Sequence, residues 1–208
     1  MKILALLAVM AMATACKQNV SAPVAEKAAS QQPPMLPPGP GSAPVTGAPP
    51  NQAAGIAWTL PPAWEVEAAR QMRIATYRLH AIAGDPEDAE CAVYFFGAGQ
   101  GGTVDANIER WVHQFTAPDG QSPAPSAITD KRDIAGLKVS TLTVSGTYLA
   151  GAGMMPQQQE VKKPKFRMRA AIIEAPQGLV FFKLTGPLNT VAAADKDFNS
   201  LLDSLHRQ

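Results

Sequence analysis

The stretch Gly101-Gly-Thr-Val-Asp-Ala-Asn-Ile-Glu-Arg-Trp-Val-His-Gln-Phe115 decides how the folded part of this chain is organised. Ile108, Trp111, Val112 and Phe115 recur at i, i+3, i+4 and i+7, which predicts an amphipathic helix over about 104–116. Thr103 or Asp105 can cap its first turn, and the Gly101-Gly102 pair supplies the bend that feeds it. A helix with one apolar stripe must bury that stripe against another element, and the sequence on both sides of it reads as strand.

Upstream, Trp58-Thr-Leu-Pro-Pro-Ala-Trp64-Glu-Val66 reads as two short strands around a Pro-Pro turn, with the tryptophans clamping one end of the core. Strands follow at Met72–Ala83 and Glu90–Phe96. Downstream, 117–126 holds three prolines and an Asp-Gly pair and reads as a loop. Ile128–Ile134, Leu137–Leu149, Phe166–Ala175 and Leu179–Thr185 read as strands, with Ala135-Gly136 and Ala175-Pro-Gln-Gly178 as hairpin connections. Between the second and third of these lies a Gly/Met/Gln-rich loop at 149–164. A closing helix over about 190–205 places Val191, Ala194, Phe198, Leu201, Leu202 and Leu205 on one face. The expectation is an α+β domain with an antiparallel sheet of about 6–8 strands and two helices against it.

The leader and the segment after it say where such a domain sits. Met1-Lys2, an apolar run over Ile3–Ala13 and then Ala13-Thr14-Ala15-Cys16 form a secretory signal, its h-region too short to span a membrane. Residues 16–55 contain nine of the nineteen prolines and only three charges, Lys17, Glu26 and Lys27. That composition cannot bury enough apolar surface to offset chain entropy, so a disordered Pro/Ala-rich tether is expected, followed by one globular domain over 56–208. Without the leader and tether the domain keeps 15 basic and 16 acidic residues, so no global field recruits nucleic acid. Cys91 then has no partner cysteine within the domain.

Few residues carry chemistry. Gly97-Ala-Gly99-Gln-Gly-Gly102 matches a dinucleotide-binding pattern between a strand and a helix. However, a Pro-rich loop follows where a parallel strand would be needed, and Asp105 would repel a pyrophosphate at the helix start. A Gly-rich turn is the better reading. Cys91, alternating with Val93 and Phe95, reads as a buried small hydrophobe. Neither metal-ligand spacing nor a nucleophile elbow is present, so no cofactor, metal or catalytic residue is assigned. The acidic set from Glu65 to Glu90 reads as a solvated rim. In Lys162-Lys-Pro-Lys-Phe-Arg-Met-Arg169, alternation puts Lys165, Arg167 and Arg169 on one face, either as a solvated strand or as a contact for an anionic polymer or headgroup. Asn107 and Arg110 on the central helix, and Arg73 opening the strand Arg73–Tyr77, serve structure, with an arginine paired to Asp105 or Glu109, or line a groove.

Two resemblances add to this. Small residues ending on Cys16 resemble the lipobox of bacterial lipoproteins, with Ala13 where Leu is commoner. The resemblance implies lipidation at Cys16 and a membrane anchor, and Lys17 after it implies the outer membrane, facing the periplasm. Trp58-x-x-Pro61-x-x-Trp64, Met72-Arg-Ile-Ala-Thr-Tyr77, Ala89-Glu-Cys-Ala-Val-Tyr94, Asn107-Ile-Glu-Arg-Trp111 and Phe182-Lys-Leu-Thr-Gly186 resemble an uncharacterised family of bacterial secreted and lipid-anchored proteins. The order of elements is similar, more distantly, to the PsbP-like sandwich used by DcrB-type envelope proteins. That implies a non-catalytic binding or accessory module. The tether and the missing catalytic constellations add the expectation of an envelope protein partner, with Asn107, Arg110, Lys165, Arg167 and Arg169 as the contact surface. The alternative is a small-molecule or envelope-polymer binding protein with a pocket under the 117–126 and 149–164 loops.

Overall fold

The computed structural model describes residues 50–151 and 161–208. The signal, Cys16, nearly all of the tether and Gln157–Gln159 lie outside the described residues. Antiparallel strands dominate. The main sheet has the order β3 (Glu65–Val66), β4 (Ala75–Leu79), β5 (Ala89–Phe95), β10 (Gly178–Pro187), β9 (Val161–Ala175), β8 (Leu137–Ala150) and β6 (Phe115–Thr116). β7 (Ile128–Ile134) shares the outer edge of β8 with β6. A second, three-stranded sheet joins β1 (Gln52–Ala53), β2 (Ile56–Ala57) and β11 (His206–Arg207).

The α+β architecture with an antiparallel sheet is as expected, and several details differ. Trp58–Val66 does not form a hairpin: β2 pairs with β1 and β11, and β3 pairs with β4. Gln52 and Ala53, placed in the tether on composition, are paired strand. The Ala54-Gly55 turn between β1 and β2 takes φ of 53° and 79°, the left-handed pair that a two-residue hairpin twists through. Ala135-Gly136, between β7 and β8, does the same at 51° and 74°.

The central helix α1 spans only Val104–Val112, with Thr103 Oγ1 accepting from the Ala106 amide at 3.2 Å as its cap. Phe115 lies beyond it on β6, opposite Tyr148. The closing helix is two pieces, α2 (Leu188–Ala193) and α3 (Asp195–Asp203). Among the described residues, no helix is long and apolar enough to cross a membrane.

The sheet's two faces carry two cores. On one, Tyr77, Cys91, Val93, Ile173, Phe182 and Leu184 pack with Val191, Phe198, Leu201, Leu202 and Leu205 of the closing helices, and with Ile56 and Trp58. Trp58 meets Phe182 edge-on at 4.9 Å and donates through Nε1 to the Tyr77 hydroxyl at 2.9 Å. On the other, Leu142, Val144, Met168, Ile172 and Phe181 pack under Trp111 and Val112 of α1. At roughly 25 cal/mol per Å² of apolar area, two such layers must supply the stability that no disulfide among the described residues adds. α1 covers only part of its face, and what it leaves open forms the site.

Candidate functional site

Alternation on β10 turns Phe182 and Leu184 to the closing helices, and Phe181, Lys183 and Thr185 to the α1 side. The register sets Lys183 between Ala92 of β5 and Ala170 of β9, and Thr185 between Glu90 and Met168. Two alanines beside one lysine leave depth above the sheet. α1 covers the row at Phe181, where Trp111 packs edge-on at 6.1 Å, and ends at Val112 before reaching Lys183. The result is a cleft of about 370 Å³, walled by Arg73, Glu90, Tyr94, Gln114, Tyr148 and Phe166, with Lys183 and Thr185 lining it.

Among the described residues, the charges that line the cleft are matched with one exception. Arg73 donates to Glu90 Oε1 at 2.7 Å and lies 5.8 Å from the Tyr94 ring centre, while Arg70 holds the other Glu90 oxygen at 2.7 Å. Lys163 meets Glu87 at 2.7 Å and the Phe166 ring at 5.3 Å. Asp88 pairs with Arg78 at 3.8 Å. Lys183 donates to Gln114 Oε1 at 2.6 Å and stands 5.7 Å from the Tyr148 ring, yet forms no ion pair with any carboxylate among the described residues. Burial above all, then the charges of Arg110 and Arg73, push its ammonium down to about 8 against a weaker pull from Glu90. Burial likewise pushes the Tyr94 and Tyr148 phenols up. The Thr185 hydroxyl is buried with no hydrogen-bond partner among the described residues.

The residues singled out from sequence fall elsewhere. Asn107 is buried, donating to the carbonyls of Gly101 at 2.8 Å and Thr103 at 2.7 Å and accepting from Arg110, so it locks the Gly-rich turn onto α1 instead of offering a contact. Arg110 is exposed and its charge reaches Lys183. Lys165, Arg167 and Arg169 do not form one open face. Pro164 and Lys165 together oppose Thr147 in a bulge, with Lys165 at φ 56°, which interrupts the alternation and brings Lys163 to the Phe166 side. Arg167 and Arg169 lie against α3: Arg167 meets Asp195 at 2.9 Å, and Arg169 meets Asn199 at 3.0 Å above the Phe198 ring.

Cys91 is fully buried, and burial pushes its thiol up. Gly97, Gly99, Gly101 and Gly102 all take positive φ, and every strand pairing among the described residues is antiparallel, so this turn does not sit in a parallel βαβ unit. Among the described residues, no cluster of three or more His, Cys, Asp or Glu is placed to hold a metal.

The cleft borders Leu149, Gly151 and Lys163, and no residue of 117–126 lines it. Sequence reasoning passed over Lys183, Thr185, Tyr94 and Tyr148. The available signal was a single charge inside the apolar run Leu179–Leu184. Three segments that carry the family resemblance, Met72–Tyr77, Ala89–Tyr94 and Phe182–Gly186, run side by side here and bring Arg73, Glu90, Tyr94, Lys183 and Thr185 to one place. No protein-family model matches the chain, and no curated protein sequence matches it significantly.

Proposed function

We propose that this chain is a lipid-anchored protein of the bacterial envelope, held at the periplasmic face of the outer membrane through Cys16, whose tethered domain is a non-catalytic module that binds a small molecule in the Lys183 cleft. The observation that carries the binding reading is Lys183, a half-buried cation that lines a cleft and meets no carboxylate among the described residues, where the other charges of the lining are paired. Burying an ion without a counter-ion costs several kcal/mol, a cost that serves no purpose in packing. A ligand bearing negative charge would offset it. The lipobox-like Cys16 and the Pro/Ala-rich composition of 17–49 support the anchored tether, and helices on both faces of an antiparallel sheet are compatible with a PsbP-like sandwich.

Native mass spectrometry of the full-length chain purified from membranes tests the binding. A small molecule retained by the wild type and lost in Lys183→Gln is expected; equal retention by both, or none by either, would remove the reading. Membrane fractionation of Cys16→Ser tests the anchor, with release from the membrane expected.

A second reading, an accessory module docking on an envelope protein, draws on the exposed Arg110 and Lys165. Crosslinking in intact cells separates the two: a single reproducible partner, lost in Arg110→Glu or Lys165→Glu but not in Lys183→Gln, favours docking.

A further inference from the structure

The charge pattern of the cleft narrows the ligand class. This rests on the cleft being the binding site. Pairing accounts for Glu90 with Arg73 and Arg70, Glu87 with Lys163, and Asp88 with Arg78, and among the described residues it leaves Lys183 without a carboxylate. One positive charge asks for one negative charge. Lys183 is the one cation of the lining without a carboxylate partner among the described residues, so the second charge of a phosphate monoester would find no partner in a site of reduced dielectric. A neutral ligand would leave the ammonium uncompensated. Tyr94, Tyr148 and Phe166 supply aromatic surface for a compact apolar or planar body, and about 370 Å³ is at the small end of ligand sites.

We infer that the cleft takes a small organic monocarboxylate, its carboxylate on the Lys183 ammonium and its body against the Tyr94 and Tyr148 rings. The Lys183–Gln114 contact then acts as a holding position. Gln114 Oε1 occupies one ammonium proton at 2.6 Å and leaves the other two for the ligand's oxygens. Gln114 stands on the short link between α1 and β6, and its own carbonyl accepts from the Leu149 amide at 2.8 Å, so the backbone that carries this amide is fixed by the sheet. The Thr185 hydroxyl on the same strand face can donate toward the cleft floor.

Calorimetric titration of the full-length chain in detergent at pH 7 with benzoate, benzamide and phenyl phosphate tests the class. The three probes share a ring and differ in charge. Benzoate should bind, and benzamide and phenyl phosphate should bind roughly tenfold or more weakly by comparison. Lys183→Gln should weaken benzoate by a similar factor. Gln114→Glu, which keeps Lys183 but places a carboxylate against it, should do the same. Benzoate binding unchanged in both variants, or matched by either other probe, would overturn the inference. If a Lys183-dependent molecule is retained from the cell and carries no carboxylate, the class fails while the cleft stands. If nothing is retained and benzoate does not bind, both fail.

Discussion

Lys183 Nζ lies 2.6 Å from Gln114 Oε1, so a half-buried cation leans on a neutral amide where a carboxylate would be the usual partner. Its ammonium titrates near 8 in the fold against an ordinary 10.5, chiefly through burial. In the unfolded chain it keeps its proton to the higher value. The penalty is therefore full below pH 8, relieved progressively as pH rises from about 8 to about 10.5, and absent above. Lys183→Met should raise stability at pH 7 by about 2 kcal/mol while removing ligand binding. Urea unfolding across pH 7–10 checks this: wild-type stability should climb toward the variant's, and parallel curves would count against the assignment.

The same titration sets how binding responds to pH. Arg110 on α1 and Arg73 ahead of β4 disfavour the charged amine, Glu90 on β5 favours it, and Gln114 and the Tyr148 phenol face it without charge. A carboxylate ligand needs the ammonium. Benzoate affinity should be flat up to about pH 7 and fall by roughly tenfold per unit well above pH 8. A flat profile to pH 9.5 would remove Lys183 from the contact.

Much of this fold was legible because alternation and turn chemistry are local. Ala135-Gly136 reads as a hairpin, and its left-handed backbone agrees; β7 begins and ends at the residues expected. Helical periodicity fails at boundaries for a physical reason. Phe115 continues the apolar stripe of α1 but packs from a strand, and an apolar side chain at that spacing suits either element. The closing helix keeps its stripe through a break at Ala194, so periodicity does not register the break, yet Asp195 beyond it meets Arg167. The Lys165 bulge has no signature in alternation. The cleft was hidden for a different reason: its depth comes from Ala92 and Ala170 flanking Lys183 across two neighbouring strands, and cross-strand register is a tertiary property.

Asp195 decides whether the basic strand is a docking face or a packed one. It meets Arg167 at 2.9 Å and Arg169 at 3.5 Å, with the arginine side chains only 19% and 16% exposed. Asp195→Asn leaves two half-buried guanidinium groups short of charge, and a loss of about 1–2 kcal/mol is expected after allowing for the exposure of the carboxylate. Benzoate binding should not change by more than about twofold, since Asp195 lies on the opposite face of the sheet from the cleft. Thermal unfolding with parallel calorimetry measures both, and unchanged stability would return the strand to the list of free surfaces.

Gly186 shows how closely β10 approaches β5. A methyl group there would come within 2.4 Å of the Ala89 side chain and 2.7 Å of its Cα, neither of which can swing away. Gly186→Ala should cost about 3 kcal/mol, with the strands forced apart beside Thr185 and Glu90. Adding Ala89→Gly removes the nearer contact and keeps the backbone one, so the double variant should recover only part of the loss. Full recovery in chemical denaturation would show that the backbones have room to spare.

Cys91 sits opposite Leu184 of β10 and Tyr77 of β4, fully enclosed, with burial raising its thiol above the ordinary range. Nucleophilic attack needs the thiolate, and an inaccessible, high-titrating thiol supplies almost none. Ellman's reagent should therefore leave Cys91 untouched in native protein and modify it only as urea exposes the core. The labelling curve should overlay the unfolding transition seen by tryptophan fluorescence, because Trp58 and Cys91 belong to the same core. Reaction at the rate of a free thiol before that transition would mean that this core opens locally, and that the two faces of the sheet do not melt as one unit.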